Sequence, residues 1–174
     1  MTAVKHVLRY LRGTPDLPIV FKKQGQFRIA AFADASFEAN PDNRKSTTGY
    51  LFFLGGGLMS FGTKTQSLTA QSTVESELQA ISYAAREAVY LSNLLMELMF
   101  DIFKPPSELS ASPPTRSRTK HIALRFFFLR ELIKRRRITV HHVPTQAILA
   151  DIATQHLDRH KFNSILQQIK DFGC

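Results

Sequence analysis

Residues 27–38 read FRIAAFADASFE, and the placing of that stretch decides the fold. Phe27, Ile29, Ala31 and Ala33 alternate as a half-buried strand does, and the positions between them are nearly as apolar. The run then closes on Asp34. A carboxylate among apolar residues is costly unless it is paired or holds a metal. Asp34 is therefore the first residue to ask about chemistry.

Outward from that strand the pattern is readable in both directions. Residues 38–48, EANPDNRKSTT, are loop-like. GYLFFLGG (49–56) and GLMSFGTK (57–64) predict two strands about a glycine turn, which gives a three-strand antiparallel meander. From Ser72 the period changes. Val74, Leu78, Ile81, Ala85 and Ala88 fall on one helical stripe that continues through Leu91, Leu95 and Leu98. Ser72 or Thr73 is the expected N-cap, with Glu75 in the first turn. Residues 99–115 carry four prolines and predict little regular structure. Ile122, Phe126, Leu129 and Ile133 then predict an amphipathic helix, RITVHHV (137–143) a strand, and PTQAILADIATQHL (144–157) a helix. DRHKFNSILQQIKDF (158–172) predicts a last helix capped by Asp158. Upstream, residues 2–12 predict a helix stopped by Gly13-Thr14-Pro15. The order is that of an α/β domain with one mixed sheet flanked by helices.

The chain has 174 residues, 44% of them hydrophobic, enough for one domain with its own core. Its formal charge of +9 favours an anionic partner such as nucleic acid. The single cysteine, Cys174, excludes a disulfide framework or a cysteine-based metal site within one chain. No apolar run reaches the ~18 residues of a membrane span. Charges inside the apolar pattern of the N-terminus argue against a secretory signal. An intracellular protein, cytoplasmic or nuclear, is expected, with no membrane partner.

Three acids stand in apolar surroundings: Asp34, Glu77 in VESELQAI, and Asp151 in ILADIAT. Carboxylates from separate elements can converge on magnesium or manganese, which prefer oxygen ligands. A pair of such ions about 4 Å apart supports phosphodiester cleavage. At ~100° per residue, Glu77 lies roughly 60° from the buried stripe and Glu75 roughly 100° away on the other side. Glu77 is thus expected inward, with Glu75 as a cap or support. Each acid has a plainer reading: Asp34 as a strand-end turn former, Glu77 as a first-turn acid favoured by the helix dipole, Asp151 on a solvated helix face.

Five stretches carry a resemblance: AVKHVLRYLRGTPDLPIVFKK, FADASFEANPDNRKSTTGYLFFLGGGLMSF, KTQSLTAQSTVESELQAISYAAREAVYLSNLL, SRTKHIALRFFFLRELIKRRRITVHHVPT and LADIATQHL. Together they resemble, in order and over nearly the whole chain, the ribonuclease H region of a copia-type retrotransposon Pol polyprotein with its preceding connection segment. The resemblance implies a ribonuclease H fold and metal-dependent hydrolysis of RNA in RNA–DNA hybrids, with two magnesium or manganese ions. It implies that Asp34, Glu77 and Asp151 are catalytic and metal-binding, and that the reverse transcriptase portion of the same polyprotein is a neighbour. It divides the chain into a connection segment (1–24), a ribonuclease H-like domain (25–157) and a C-terminal helix or tail (158–174).

The family's fourth strand carries a further catalytic aspartate and is followed by a helix. Only residues 99–115 fill that space here. At average element lengths a strand and a helix need about 20 residues, so the sequence predicts that one strand and one helix are missing and that activity is impaired. Without that strand, RITVHHV would pair directly with the first strand or leave edges open. The alternative is a non-catalytic nucleic-acid-binding remnant of a Pol polyprotein.

From Arg116 to Arg137 nine cations meet one acid, Glu131. Arg116, Arg118, Lys120, Arg125, Lys134, Arg135, Arg136 and Arg137 are the candidate phosphate contacts, giving salt-dependent affinity for a hybrid duplex. A solvated helix face explains the same charges. Phe126, Phe127 and Phe128 are expected in the core. His141 and His142 are read as structural, as are His6 and His121.

Overall fold

The structure, a computed structural model, describes residues 2–21, 28–40, 42–98, 107–110, 120–144 and 147–172. The meander forms as its alternation predicts. Strands β1 (Ile29–Ser36), β2 (Thr47–Leu54) and β3 (Gly57–Thr65) are antiparallel, with Ile29 opposite Leu54 and Asp34 opposite Gly49. The β2–β3 turn places Gly55 and Gly56 at φ of 57° and 77°. Side chains rarely take that region, and a two-residue hairpin turn demands it at both positions.

Helix α1 is Thr2–Gly13 and α2 is Thr73–Glu97. Ser72 caps α2, its hydroxyl accepting from the Glu75 N–H at 3.2 Å, while the Glu75 carboxylate accepts from the Gln71 N–H at 2.8 Å. Glu75 is therefore a cap, as expected. The inward stripe of α2, including Leu78, Ile81, Ala84, Ala85 and Ala88, packs on Ile29, Ala31, Ala33 and Phe52. On the other sheet face Leu51 and Phe53 pack with Leu149 and Ile165. The sheet is thus covered on both sides.

The fourth strand, which the sequence predicts to be missing, is present. Ser107–Ser110 forms β4, parallel to β1 on one side and to β5 (Ile138–His141) on the other, giving the order β3-β2-β1-β4-β5. RITVHHV does not pair with the first strand. Four residues suffice because both edges are satisfied and Leu109 is fully buried. At four residues, β4 is shorter than an average strand. The expectation of a missing helix falls on residues 111–119, between β4 and α3 (Lys120–Lys134), which lie outside the described residues.

Two further expectations shift. On α3 the inward residues are Phe128, Leu129 and Leu132, whereas Phe126 (41% exposed), Phe127 (51%) and Ile133 (46%) face outward. A run of adjacent apolar residues offers several stripes, and the position of α3 beside α2 and β5 selects one. Within 144–157 the helix that forms is Leu149–Ala153, and it is a 3₁₀-helix. It presses onto β2 so closely that a Cβ on Gly49 would lie 2.6 Å from Thr154 Cγ2 and 2.8 Å from Ala153 Cβ. Helix α4 (Arg159–Asp171) follows, capped by the Asp158 carboxylate, which accepts from the Lys161 N–H at 2.9 Å.

Candidate functional site: a carboxylate rim

Three elements deliver the three sequence-predicted acids to one end of the sheet. Strand β1 brings Asp34 near its carboxyl end, the beginning of α2 brings Glu77, and the 3₁₀-helix brings Asp151. Asp34 is 7% exposed and Asp151 1%; Glu77 is half-buried.

Their electrostatics show that they share one field. Burial is the main force raising the Asp34 carboxyl above its usual range, opposed by the Thr154 hydroxyl and reinforced by the Asp151 charge. Glu77 is pushed up to about 8, first by burial and then by the charges of Asp34 and Asp151. The backbone N–H of Ala35 partly offsets both shifts.

Two residues that the sequence reading missed complete the rim. Thr154 donates its hydroxyl to Asp34 Oδ2 at 2.5 Å, across 120 residues of sequence. Lys161 donates to Asp151 Oδ2 at 2.5 Å, in an ion pair whose acid is almost wholly buried. Thr154 lies one 3₁₀ turn from Asp151, and Lys161 lies in the first turn of α4. Those spacings are the signals that could have found them.

The charge of Asp34 thus reaches Glu77, while Lys161 serves Asp151. Oxygen-only donors carrying uncompensated negative charge match the chemistry of magnesium or manganese. As the side chains stand, no three His, Cys, Asp or Glu among the described residues are grouped to hold an ion.

No fourth acid joins them on β4. Glu108 is level with Ala30 and Ser110 with Phe32, which leaves Glu108 four residues, or about 13 Å, down the sheet from Asp34. Asp101 lies outside the described residues.

The basic surface is partly described. Arg116 and Arg118 lie outside the described residues, as does the side chain of Lys120. Lys134, Arg135, Arg136 and Arg137 are exposed where α3 ends. Arg135 pairs with Glu131 at 2.7 Å, and Arg137 donates to Asn93 Oδ1 at 2.7 Å. Arg125 points inward instead, with a buried Nη1. His141 and His142 are exposed; the side chains of His6 and His121 lie outside the described residues.

No protein-family profile matches the chain. It is 35% identical over 176 residues to the retrovirus-related Pol polyprotein from transposon RE2 of Arabidopsis thaliana, covering 96% of this chain and 12% of that polyprotein. Among solved structures, the N-terminal RNase H domain of rv2228c from Mycobacterium tuberculosis superposes with a TM-score of 0.53 at 10% identity, over 82% of this chain and 98% of that one. LC11-RNase H1, solved with an RNA/DNA hybrid, gives 0.52 at 12% identity, over 73% and 94%. The fold is that of ribonuclease H.

Proposed function

The chain belongs with the Pol polyproteins of copia-type retrotransposons, of which it matches one stretch, and we propose that it acts as their ribonuclease H domain on the RNA strand of RNA–DNA hybrids. The observation that carries this reading is the joint burial of Asp34, Glu77 and Asp151 at one rim of a ribonuclease H fold. Buried like charges destabilise a fold unless something offsets them. A divalent cation offsets them, and Asp34, Glu77 and Asp151 are the residues that would hold it. Such ions, when bound, activate water and stabilise a leaving phosphodiester oxygen.

This chain's own groups prepare the rim. Thr154 fixes the Asp34 carboxylate through its hydroxyl. Lys161 holds Asp151. The Ala35 N–H favours the ionised forms of Asp34 and Glu77. The exposed cations at the end of α3 supply sequence-independent attraction for a duplex backbone.

The register of β4 puts no acid beside Asp34, so we place the activity well below that of a four-carboxylate site. Loss of one group that acts in concert with others costs orders of magnitude in rate. The division into residues 1–24, 25–157 and 158–174 is part of the same reading. The apolar side chains of α1, Val4, Val7, Leu8 and Leu11, are 55–60% exposed, as suits a surface that the reverse transcriptase portion of a polyprotein would cover. No described helix is long and apolar enough to cross a membrane, and the expected setting is intracellular.

A hybrid-cleavage assay with magnesium at high protein concentration tests the proposal. Slow, metal-dependent release of RNA fragments, abolished by Asp34→Asn, is the expected result; cleavage unchanged in that variant overturns it. That no fourth acid stands beside Asp34 among the described residues also supports a second reading, a non-catalytic nucleic-acid-binding remnant. Calorimetry separates the two: magnesium uptake lost with Asp34→Asn favours the enzyme, and salt-sensitive duplex binding without metal uptake favours the remnant.

A further inference from the structure

The first turn of α4 sends a full positive charge into the acidic rim. The Lys161 ammonium donates to Asp151 Oδ2 at 2.5 Å. The Asp151 side chain is 2% exposed and the Lys161 side chain 38%. The pair thus joins an acid fixed in the interior to a cation that reaches it from solvent. A carboxylate buried this deeply needs a partner, and in the metal-free chain Lys161 is that partner.

Thr154 and Lys161 differ in what they leave open. Thr154 donates to Asp34 Oδ2 at 2.5 Å but carries no charge. A hydroxyl can stay on a carboxylate oxygen while the remaining lone pairs face a cation. Lys161 instead brings a unit charge onto an oxygen of Asp151. Like charges that close repel strongly where water is excluded, so Lys161 and a divalent ion cannot share the Asp151 carboxylate.

Lys161 also has somewhere to go. Its stem is four carbons long and flexible. The Asp158 carboxylate stands at the cap of α4, three residues before it. The Asp158 carboxyl is held below its usual range chiefly by the Lys161 backbone N–H, and the Lys161 charge adds to the effect. The ammonium is therefore placed between a buried acid and an exposed one. Ile165, 3% exposed, anchors α4 to the sheet, so the side chain can move without the helix.

We propose that Lys161 is a built-in rival of the metal: it holds a cation's place on Asp151 in the metal-free chain and must swing out toward Asp158 for magnesium or manganese to bind. This rests on the reading of Asp151 as a residue that would hold the ion. The consequence is antagonism between the C-terminal helix and the metal. Coupling between two sites is reciprocal. The ion pair that ties α4 to the 3₁₀-helix lowers metal affinity, and the same pair is weakened when the rim fills.

Magnesium calorimetry on the full chain tests this, together with the Cε resonance of Lys161, identified by its absence from Lys161→Met and Lys161→Arg. Lys161→Met keeps the apolar stem and removes the charge. It is expected to bind magnesium about tenfold more tightly, inside the span of about 5–150-fold typical of coupled sites. Lys161→Arg keeps the charge and is expected to bind as the wild type does. In the wild type, magnesium is expected to move the Lys161 Cε resonance toward that of a solvated lysine, a readout that needs no methionine variant to fold. Equal or weaker binding by Lys161→Met, or a Lys161 resonance that magnesium leaves in place, overturns the rivalry and makes the lysine a support of the bound ion. Either result leaves hydrolysis standing, since wild-type magnesium uptake lost with Asp34→Asn tests that reading separately. No uptake by the wild type or by Lys161→Met overturns both.

Discussion

Replacing Glu77 by glutamine should stabilise the metal-free protein above neutral pH and remove most of its response to magnesium. An ordinary glutamate near 4.5 is held here at about 8, which corresponds to about 5 kcal/mol if fully realised at 1.36 kcal/mol per pKa unit. Glu77 is only half-buried, so solvent screening reduces this to about 2 kcal/mol. Between about pH 4.5 and 8 the folded state binds a proton at Glu77 that the unfolded state has released. Stability therefore falls as pH rises through that window, and Asp34, raised in the same direction, adds to the fall. Glutamine cannot ionise, so the Glu77→Gln chain keeps only the Asp34 share of the slope. For a chain of this size about 2 kcal/mol is a shift of about 4–8 °C in Tm. Thermal unfolding in chelator at pH 5.5 and 8.5 should show the variant and the wild type close together in acid and the variant more stable in base. Added magnesium should then close the gap by stabilising the wild type alone, as any ligand selective for the folded state does. Equal losses of Tm between the two pH values in both proteins would refute the claim that Glu77 carries uncompensated charge.

Three other outcomes are expected. Leu109→Ala should cost about 2–4 kcal/mol in denaturant unfolding, because Leu109 on β4 is fully buried; a loss near zero would mean that β4 contributes nothing to the sheet. Gly49→Ala should cost about 1–3 kcal/mol by overpacking and lower magnesium uptake, since the new methyl meets Ala153 and Thr154 and pushes Asp151 away; unchanged uptake counts against that coupling. Changing both Lys134 and Arg136 to glutamine should lower the slope of log K against log salt for duplex binding by about 2, and an unaltered slope would remove the end of α3 from the binding surface.

What could be read from the sequence is what depends on local period. The 2.0 alternation about Asp34, the glycine turn and the change to 3.6 after Ser72 each fix an element without help from the rest of the chain. The helical angle singled out Glu75 as a cap and Glu77 on the side of Asp34, though Glu75 is the more deeply buried of the two. What could not be read depends on distant partners. Strand β4 has four residues, SELS, too few to show a period, and exists because β1 and β5 both offer it hydrogen bonds. The outward turn of Phe126 and Phe127 reflects where α2 and β5 stand, not any property of the run itself. The 3₁₀-helix is short because its next residue, Thr154, is drawn to Asp34 and pressed against Gly49. Lys161 would be chosen from spacing only by someone who already knew that Asp151 was buried.

The bond from Thr154 to Asp34 spans 120 residues, and that separation has a consequence for synthesis. The meander and α2 involve near neighbours in sequence and can assemble while the ribosome is still making the remainder, as low contact order favours. Asp34 and Glu77 then await Asp151, Thr154 and Lys161, which emerge later. A polypeptide halted before them would own most of a sheet and an acidic rim still lacking Asp151, Thr154 and Lys161.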